Sequence, residues 1–263
     1  MHHLRLIKGF ARASAQGELA YRANFFISVL HSALNLVTGV LGLVVLFSQV
    51  EALRGWDFPS TLALLGVFMA LSALRGLFIG PSLDALAGLG GEVWTGSFDF
   101  TLLRPVDVQF QASFRHWRLL AVIDLALALA VLGLAITQMD QALTLAGVLG
   151  FLIALAAGVT ILYAILLGFT ALICWSPGLL FTWLFDGIFQ MARYPVGMYP
   201  GWLRLILTWV VPVGVMTTIP AQALTGTLSL GILAASVTLA IVLLVGASAL
   251  FRVGLRRYAS ASS

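Results

Sequence analysis

The stretch QALTLAGVLGFLIALAAGVTILYAILLGFTALICWSPGLLFTWLF, Gln141–Phe185, runs 45 residues without an Asp, Glu, Lys or Arg. As one helix rising 1.5 Å per residue it would be about 67 Å long. That is twice the roughly 30 Å of a bilayer's hydrocarbon core, so the chain must turn once. The break is Cys174-Trp175-Ser176-Pro177-Gly178, because Pro cannot continue a helix and Gly is the usual residue past its end. The stretch therefore predicts one membrane span over residues 143–173 and another over 179–194.

Other charge-poor stretches extend the pattern to both sides. Residues 23–50 lie between Arg22 and Glu51 without a charge, 60–80 are apolar apart from Arg75, and 118–137 are apolar after Arg118 apart from Asp124. Towards the C-terminus only residues 229–251 are long and unbroken. The intervening segment, 195–226, carries Pro195, Pro200, Pro212 and Pro220. Its apolar pieces, residues 201–211 and 213–224, are each too short to cross, as re-entrant or interfacial segments are. Backbone at that depth must be sheltered by protein. The expected fold class is all-α: a polytopic membrane protein of six transmembrane helices, 1–263 forming one transmembrane domain, with an external re-entrant hairpin between helices five and six.

Composition supports a lipid solvent. Of 263 residues, 61% are apolar and 9% are charged, against roughly 25% charged in a soluble domain. Such a chain could not cover its apolar surface in water. The single cysteine, Cys174, excludes an internal disulfide. No basic stripe interleaves with exposed aromatics, so nucleic acid is not an expected partner.

Lys and Arg report orientation. With six spans and a cytoplasmic N-terminus, both termini are inside. The inner side then carries eleven basic residues (Arg5, Lys8, Arg12, Arg22, Arg75, Arg104, Arg115, Arg118, Arg252, Arg256, Arg257), and the outer side Arg54, Arg193 and Arg204. Residues 1–22 have no uninterrupted apolar core of a signal peptide. Leu4, Ile7, Phe10, Ala11 and Leu19 share one helical face and Arg5, Lys8 and Arg12 another, which predicts an amphipathic helix in the inner headgroup layer, in contact with lipid.

Several kinds of chemistry are missing. The one lysine, Lys8, precedes Gly9 and belongs to no Gly-Lys-Ser/Thr phosphate loop. His2, His3, His31 and His116 show no metal-ligand spacing, and no nucleophile, base and orienter assemble. Neither a catalytic site nor a metal site is expected. Ionisable residues at membrane depth are functional candidates by default; here they are Arg75, Asp124 and Asp186, for which an ion pair or polar interhelical contact is the leading reading. Gly150, Ala154 and Gly158 permit close helix approach.

The loop over 81–117 is too long for a simple helix connection. It contains Gly90-Gly91-Glu92-Val93-Trp94-Thr95-Gly96-Ser97-Phe98-Asp99-Phe100-Thr101-Leu102-Leu103-Arg104-Pro105. Val93, Trp94, Phe98, Leu102 and Leu103 need a covering partner or the headgroup layer.

The stretch Gly96 to Leu102-Leu103-Arg104-Pro105 resembles the loop of type-2 ABC transporter permeases, in the six-span exporter-type branch. Tyr194-Pro195 to Tyr199-Pro200-Gly201-Trp202-Leu203, followed by Val211-Pro212 and Ile219-Pro220, is similar to that branch's external hairpin, and the ending Gly254-Leu255-Arg256-Arg257-Tyr258 matches its basic C-terminus. Trp175-Ser176-Pro177 departs from it, where charged residues after Trp are expected. The resemblance covers nearly the whole chain. It implies two membrane subunits, a second copy or a paralogous permease being the partner, and cytoplasmic ABC ATPase subunits that bind ATP and Mg. It also implies that Gly91, Glu92, Val93, Trp94, Phe98, Asp99, Leu102, Arg104 and Pro105 form an ATPase-coupling segment, its apolar residues buried against the ATPase and Glu92 and Asp99 at the polar rim. Tyr194, Pro195, Pro200, Trp202, Pro212 and Pro220 would form an external gate. The implied location is a bacterial cytoplasmic (inner) membrane and the implied direction export; a mostly apolar interior favours an amphiphilic or hydrophobic substrate. A stand-alone secondary carrier would show an internal repeat, and none is seen; a non-transporting scaffold stays open.

Overall fold

The computed structural model describes residues 2–19, 22–87, 90–139, 143–176 and 181–258. Pro177, Gly178 and the expected start of a span at Leu179 lie outside them. Among the described residues the fold is all-helical; the one isolated bridge, Leu53 to Trp56, closes the turn at Arg54-Gly55.

The helices are α1 (His2–Leu19), α2 (Arg22–Phe47), α3 (Phe58–Leu74), α4 (Gly80–Asp84), α5 (Glu92–Thr95), α6 (Asp99–Leu102), α7 (Val108–Phe114), α8 (Ala121–Thr137), α9 (Leu145–Ile173), α10 (Phe181–Gln190), α11 (Gly201–Leu205), α12 (Val213–Leu224) and α13 (Leu230–Arg257). Among the described residues, four helices are long and apolar enough to cross a membrane: Ala23–Phe47, Phe58–Asp84, Leu145–Ile173 and Leu230–Arg257. The second of these joins α3 to α4 through a π-helical turn, Arg75–Ile79, so it outruns the expected 60–80. Pro81 does not end it. Proline lacks an N–H, which orphans the Leu77 carbonyl four residues earlier; that carbonyl accepts instead from the backbone N–H of Arg118 at 2.8 Å. The break in one helix thereby fixes the start of α8.

The remaining expected spans differ from the sequence reading. Helix α8 has 17 residues and α10 has 10, about 25 and 15 Å long. Residues 179–194 are therefore not one spanning helix. Helix α10 gives way to a 3₁₀ turn, Met191–Arg193, and Tyr194 is extended at φ −118°, ψ 150°. Pro195 forces this, because its ring disfavours the helical region for the residue before it. Helix α11 continues as a π-helical turn, Ile206–Val210, and the pair Gly201–Val210 and Val213–Leu224 is bent by 89° at Val211-Pro212.

Contacts fix which ends lie together. At one end Trp117 N–H donates to Ser14 Oγ and Leu120 N–H to Glu18 Oε2, joining α1 to the start of α8. At the same end the Phe98 ring packs edge-on against Tyr258, just past α13, with centroids 5.5 Å apart. At the far end Arg54 donates to the Gly197 carbonyl. Arg193 lies 5.4 Å over the Phe68 ring, in the middle of the Phe58–Asp84 helix. The short α10 leaves it there, below the outer position expected from sequence.

Small residues set the closest approaches, as they do where lipid gives helices no hydrophobic reason to associate. A Cβ on Gly158 of α9 would stand 2.8 Å from the Met216 carbonyl of α12, and one on Gly254 of α13 would stand 2.9 Å from the Ala171 carbonyl of α9. Helix α3 is central, buried from Thr61 to Phe68. Helix α2 is mostly exposed.

Candidate docking loop and the polar chamber behind it

The loop from Ala85 to Arg118 folds back on itself through α5, α6 and α7. Gly91 begins α5, and no other residue fits there: a Cβ would lie 2.4 Å from the Ala87 carbonyl and 2.6 Å from that of Leu86. Gly96 ends α5 in the left-handed conformation, φ 74°, which glycine adopts without steric cost. Glu92 then points inward. Arg115 Nη1 donates to both of its carboxylate oxygens, at 2.9 and 3.1 Å, and to Thr101 Oγ1 at 3.0 Å. The Phe98 N–H donates to the Glu92 carbonyl at 3.0 Å. These bonds pin α5, α6 and the end of α7 into one rigid knot.

The knot divides the expected coupling residues into two groups. Val93 and Phe98 are buried at 3% and 1% exposure, and Glu92 is committed to Arg115. Within this chain they form the knot's own interior. Trp94, Leu102, Arg104 and Pro105 are on the surface, joined by Phe100 at 70% and Leu103 at 81% exposure. Asp99 lies by Tyr258; burial, with the Asp99 carboxylate adding to it, pushes that phenol up to about 12.

Behind the knot, α7 reaches into the helices. Asp107 caps it by accepting from the Phe110 N–H at 2.8 Å. Gln109 Nε2 donates to Ser248 Oγ of α13 at 3.0 Å and to Tyr163 Oη of α9 at 3.3 Å, and Tyr163 Oη lies 2.6 Å from Ser113 Oγ. The loop is thus bolted to the two longest helices.

The three intramembrane candidates come near one another. Arg75 pairs with Asp186, Nη1 to Oδ1 2.5 Å, and its guanidinium lies 5.7 Å from the Phe185 centroid. The sequence suggests an ion pair or polar interhelical contact for Asp186 without naming its partner. Asp124 has no ion pair among the described residues. It sits in the first turn of α8, where a helix end favours negative charge, and faces a cavity of about 180 Å³ lined also by His31, Asn35, Arg75, Arg118 and Arg193.

The gate candidates make separate contacts along their segment. Tyr194 Oη abuts Gly42 of α2, Val196 fills the space a Cβ on Gly214 would need, Pro212 sits at the 89° bend and Pro220 lies buried inside α12. Pro200 precedes α11, and Trp202 is exposed.

A family model described as ABC-2 family transporter protein matches residues 33–262, which takes in the loop, the chamber and the bent pair. The chain belongs to the ABC-2 transporter family. No curated protein and no solved structure gives a significant match. An ABC-2 permease is a multi-pass membrane subunit of an ABC transporter and normally has no ATPase site of its own. In this ABC-2 permease, sequence reading missed Arg115, Thr101, Gln109, Tyr163 and Ser248. Each is an ordinary polar residue far along the chain from its partner. The one available signal was the alternation of polar residues with apolar ones on α7, at Gln109 and Ser113.

Proposed function

We propose that this chain is a six-span permease subunit of an ATP-driven exporter of amphiphilic or hydrophobic compounds. It sits in a bacterial inner membrane with both termini cytoplasmic. Cytoplasmic ABC ATPase subunits bind ATP and Mg and supply the energy, and a second copy or a paralogous permease completes the path.

One observation carries the reading: a loop made rigid from within, whose tip offers Trp94, Phe100, Leu102 and Leu103 to a partner. Exposed apolar side chains on a stiff scaffold are what a docking element needs, because little conformational entropy is lost on binding. Arg104-Pro105 continues the same surface. ATP binding closes the ATPase pair and favours one of two arrangements of the membrane helices; a ligand shifts such an equilibrium only through unequal affinity for the two states. Motion of the knot reaches α9 and α13 through Gln109, Tyr163 and Ser248. At the far side the segment Tyr194–Leu224 re-enters and serves as the external gate. Six crossings are supported by the contact levels: α8 starts beside the π-helical turn Arg75–Ile79, and residues 181–197 rise from Arg75 past Phe68 to Arg54.

The test is co-purification from native membranes. The wild-type chain brings an ATP-hydrolysing subunit with it. Trp94→Asp with Phe100→Asp inserts normally and loses that subunit. Undiminished association of the double variant overturns the docking assignment, and ATP turnover by the chain alone overturns the division of labour.

A further inference from the structure

The polar chamber continues into an apolar groove along the same three helices. Beyond His31, Leu65 and Asp124, the faces of α2, α3 and α8 become Leu36, Leu62, Leu127 and Val131, around a cavity of about 450 Å³. From Leu127 to Gln138, at the end of α8, the groove runs about 16 Å at 1.5 Å per residue, and it reaches Phe58 at the start of α3.

The charges at its head are unevenly satisfied. Arg75 is paired with Asp186, and Arg193 donates to Gln190 Oε1 and covers a ring face. Arg118 and Asp124 each line both chambers at the head of the groove. Among the described residues neither side chain has a hydrogen bond or an ion pair, with the other or with anything else. Arg118 is held in place all the same: its N–H is bonded to the Leu77 carbonyl, and its guanidinium fills the space beside Gly76, where a Cβ would stand 2.8 Å from Nη2. One free cation and one free anion face a single chamber, next to an apolar groove.

We propose that this groove binds a zwitterionic amphiphile. Arg118 takes the phosphate of its headgroup, Asp124 takes its ammonium, and an acyl chain lies between α2 and α8. As a substrate site it rests on the exporter reading above; as a binding site it stands without it. The complementarity is specific, since an anionic headgroup satisfies Arg118 and leaves Asp124 facing like charge.

The experiment uses the detergent-purified chain without an ATPase. It is equilibrated with phosphatidylethanolamine and phosphatidylglycerol of identical chains, and retained lipid is counted by native mass spectrometry. A separate arm offers soluble phosphoethanolamine as competitor. Phosphatidylethanolamine is retained roughly tenfold better, the size of one charge-assisted contact. Asp124→Asn removes that preference, and Arg118→Gln weakens retention of both lipids. Ala130→Trp, on the exposed wall of the groove, blocks chain binding with an unchanged melting temperature. Equal retention of the two lipids, an unchanged preference in Asp124→Asn, or undiminished retention of both lipids in Arg118→Gln overturns the proposal. Competition by phosphoethanolamine as effective as the lipid itself overturns the lipid assignment in favour of a small soluble zwitterion. The loop double variant retains the lipid, so failure of docking and failure of this site read out separately.

Discussion

Glu92 and Arg115 show what a single side chain contributes to this molecule. Their side chains are 18% and 29% exposed, partly shielded from water. Removing one partner of a shielded pair leaves the other charge unsatisfied, which costs more than the pair itself is worth. Glu92→Gln should lower stability by about 1–3 kcal/mol, the range for a lost hydrogen bond to a charged group with some solvent access, read as a fall in melting temperature in detergent. Glu92→Gln with Arg115→Gln should recover part of it, and a double variant no better than the single would show that the pair does not hold the knot. Next to it, His116 is pulled below its ordinary 6.5, first by burial and then by the Arg115 charge, with Glu92 opposing. The unfolded chain therefore takes up a proton before the folded one does. His116 contributes stability above pH 6.5 that is lost as the pH falls below it. His116→Asn should flatten the melting temperature between pH 6.5 and 5, and an equally steep decline in the variant would assign the acid sensitivity to another group. None of this was legible in the sequence. The Glu92–Arg115 pair is 23 residues apart in a loop without periodicity, and Arg75–Asp186 is 111 apart.

Individual helices were far more legible, for a physical reason. Lipid leaves backbone groups no partner outside the helix, so a long charge-free run between Thr144 and Ile173 has one solution, and α9 takes it. Thr144, Asp57 and Ser229 cap their helices by accepting from the amides of Gly147, Ser60 and Ile232, as a sequence reader expects of such residues. Proline was harder. Pro177 was read as a break and lies outside the described residues, whereas Pro81 continues a helix because Arg118 supplies the missing bond from another element. Glycines carry the same ambiguity within α9. A Cβ on Gly158 meets the Met216 backbone at 2.8 Å, while one on Gly168 meets nothing within 4 Å. Gly158→Ala should destabilise by about 1–3 kcal/mol, since backbone must shift to admit it. Gly168→Ala should stabilise by up to about 1 kcal/mol, the difference in helix propensity. Thermal unfolding of the two variants side by side decides it; equal shifts would mean that α12 does not bear on α9 at Gly158.

The fold of the whole molecule turns on parity. Helix α1, the loop knot and the end of α13 converge at one end through Ser14, Glu18, Phe98 and Tyr258. A chain that starts and finishes at the same end traverses the bundle an even number of times, whatever the lengths of α8 and α10. On the six-span reading proposed above, α8 connects the Asp84 end of α4 to the Leu145 end of α9 and covers that distance with its 17 residues. At about 25 Å it falls roughly 5 Å short of a typical core, and the bilayer must thin locally or polar flanks must reach out to meet it. Leu103 and Trp202 then belong to opposite sides, and both are well exposed, at 81% and 66%, while the native Cys174 is buried and gives a low background. In intact cells a membrane-impermeant maleimide should label Trp202→Cys and spare Leu103→Cys until the membrane is opened. Labelling of Leu103→Cys from outside would place the knot away from any cytoplasmic ATPase, and the exposed Trp94, Phe100 and Leu103 would then need a different partner.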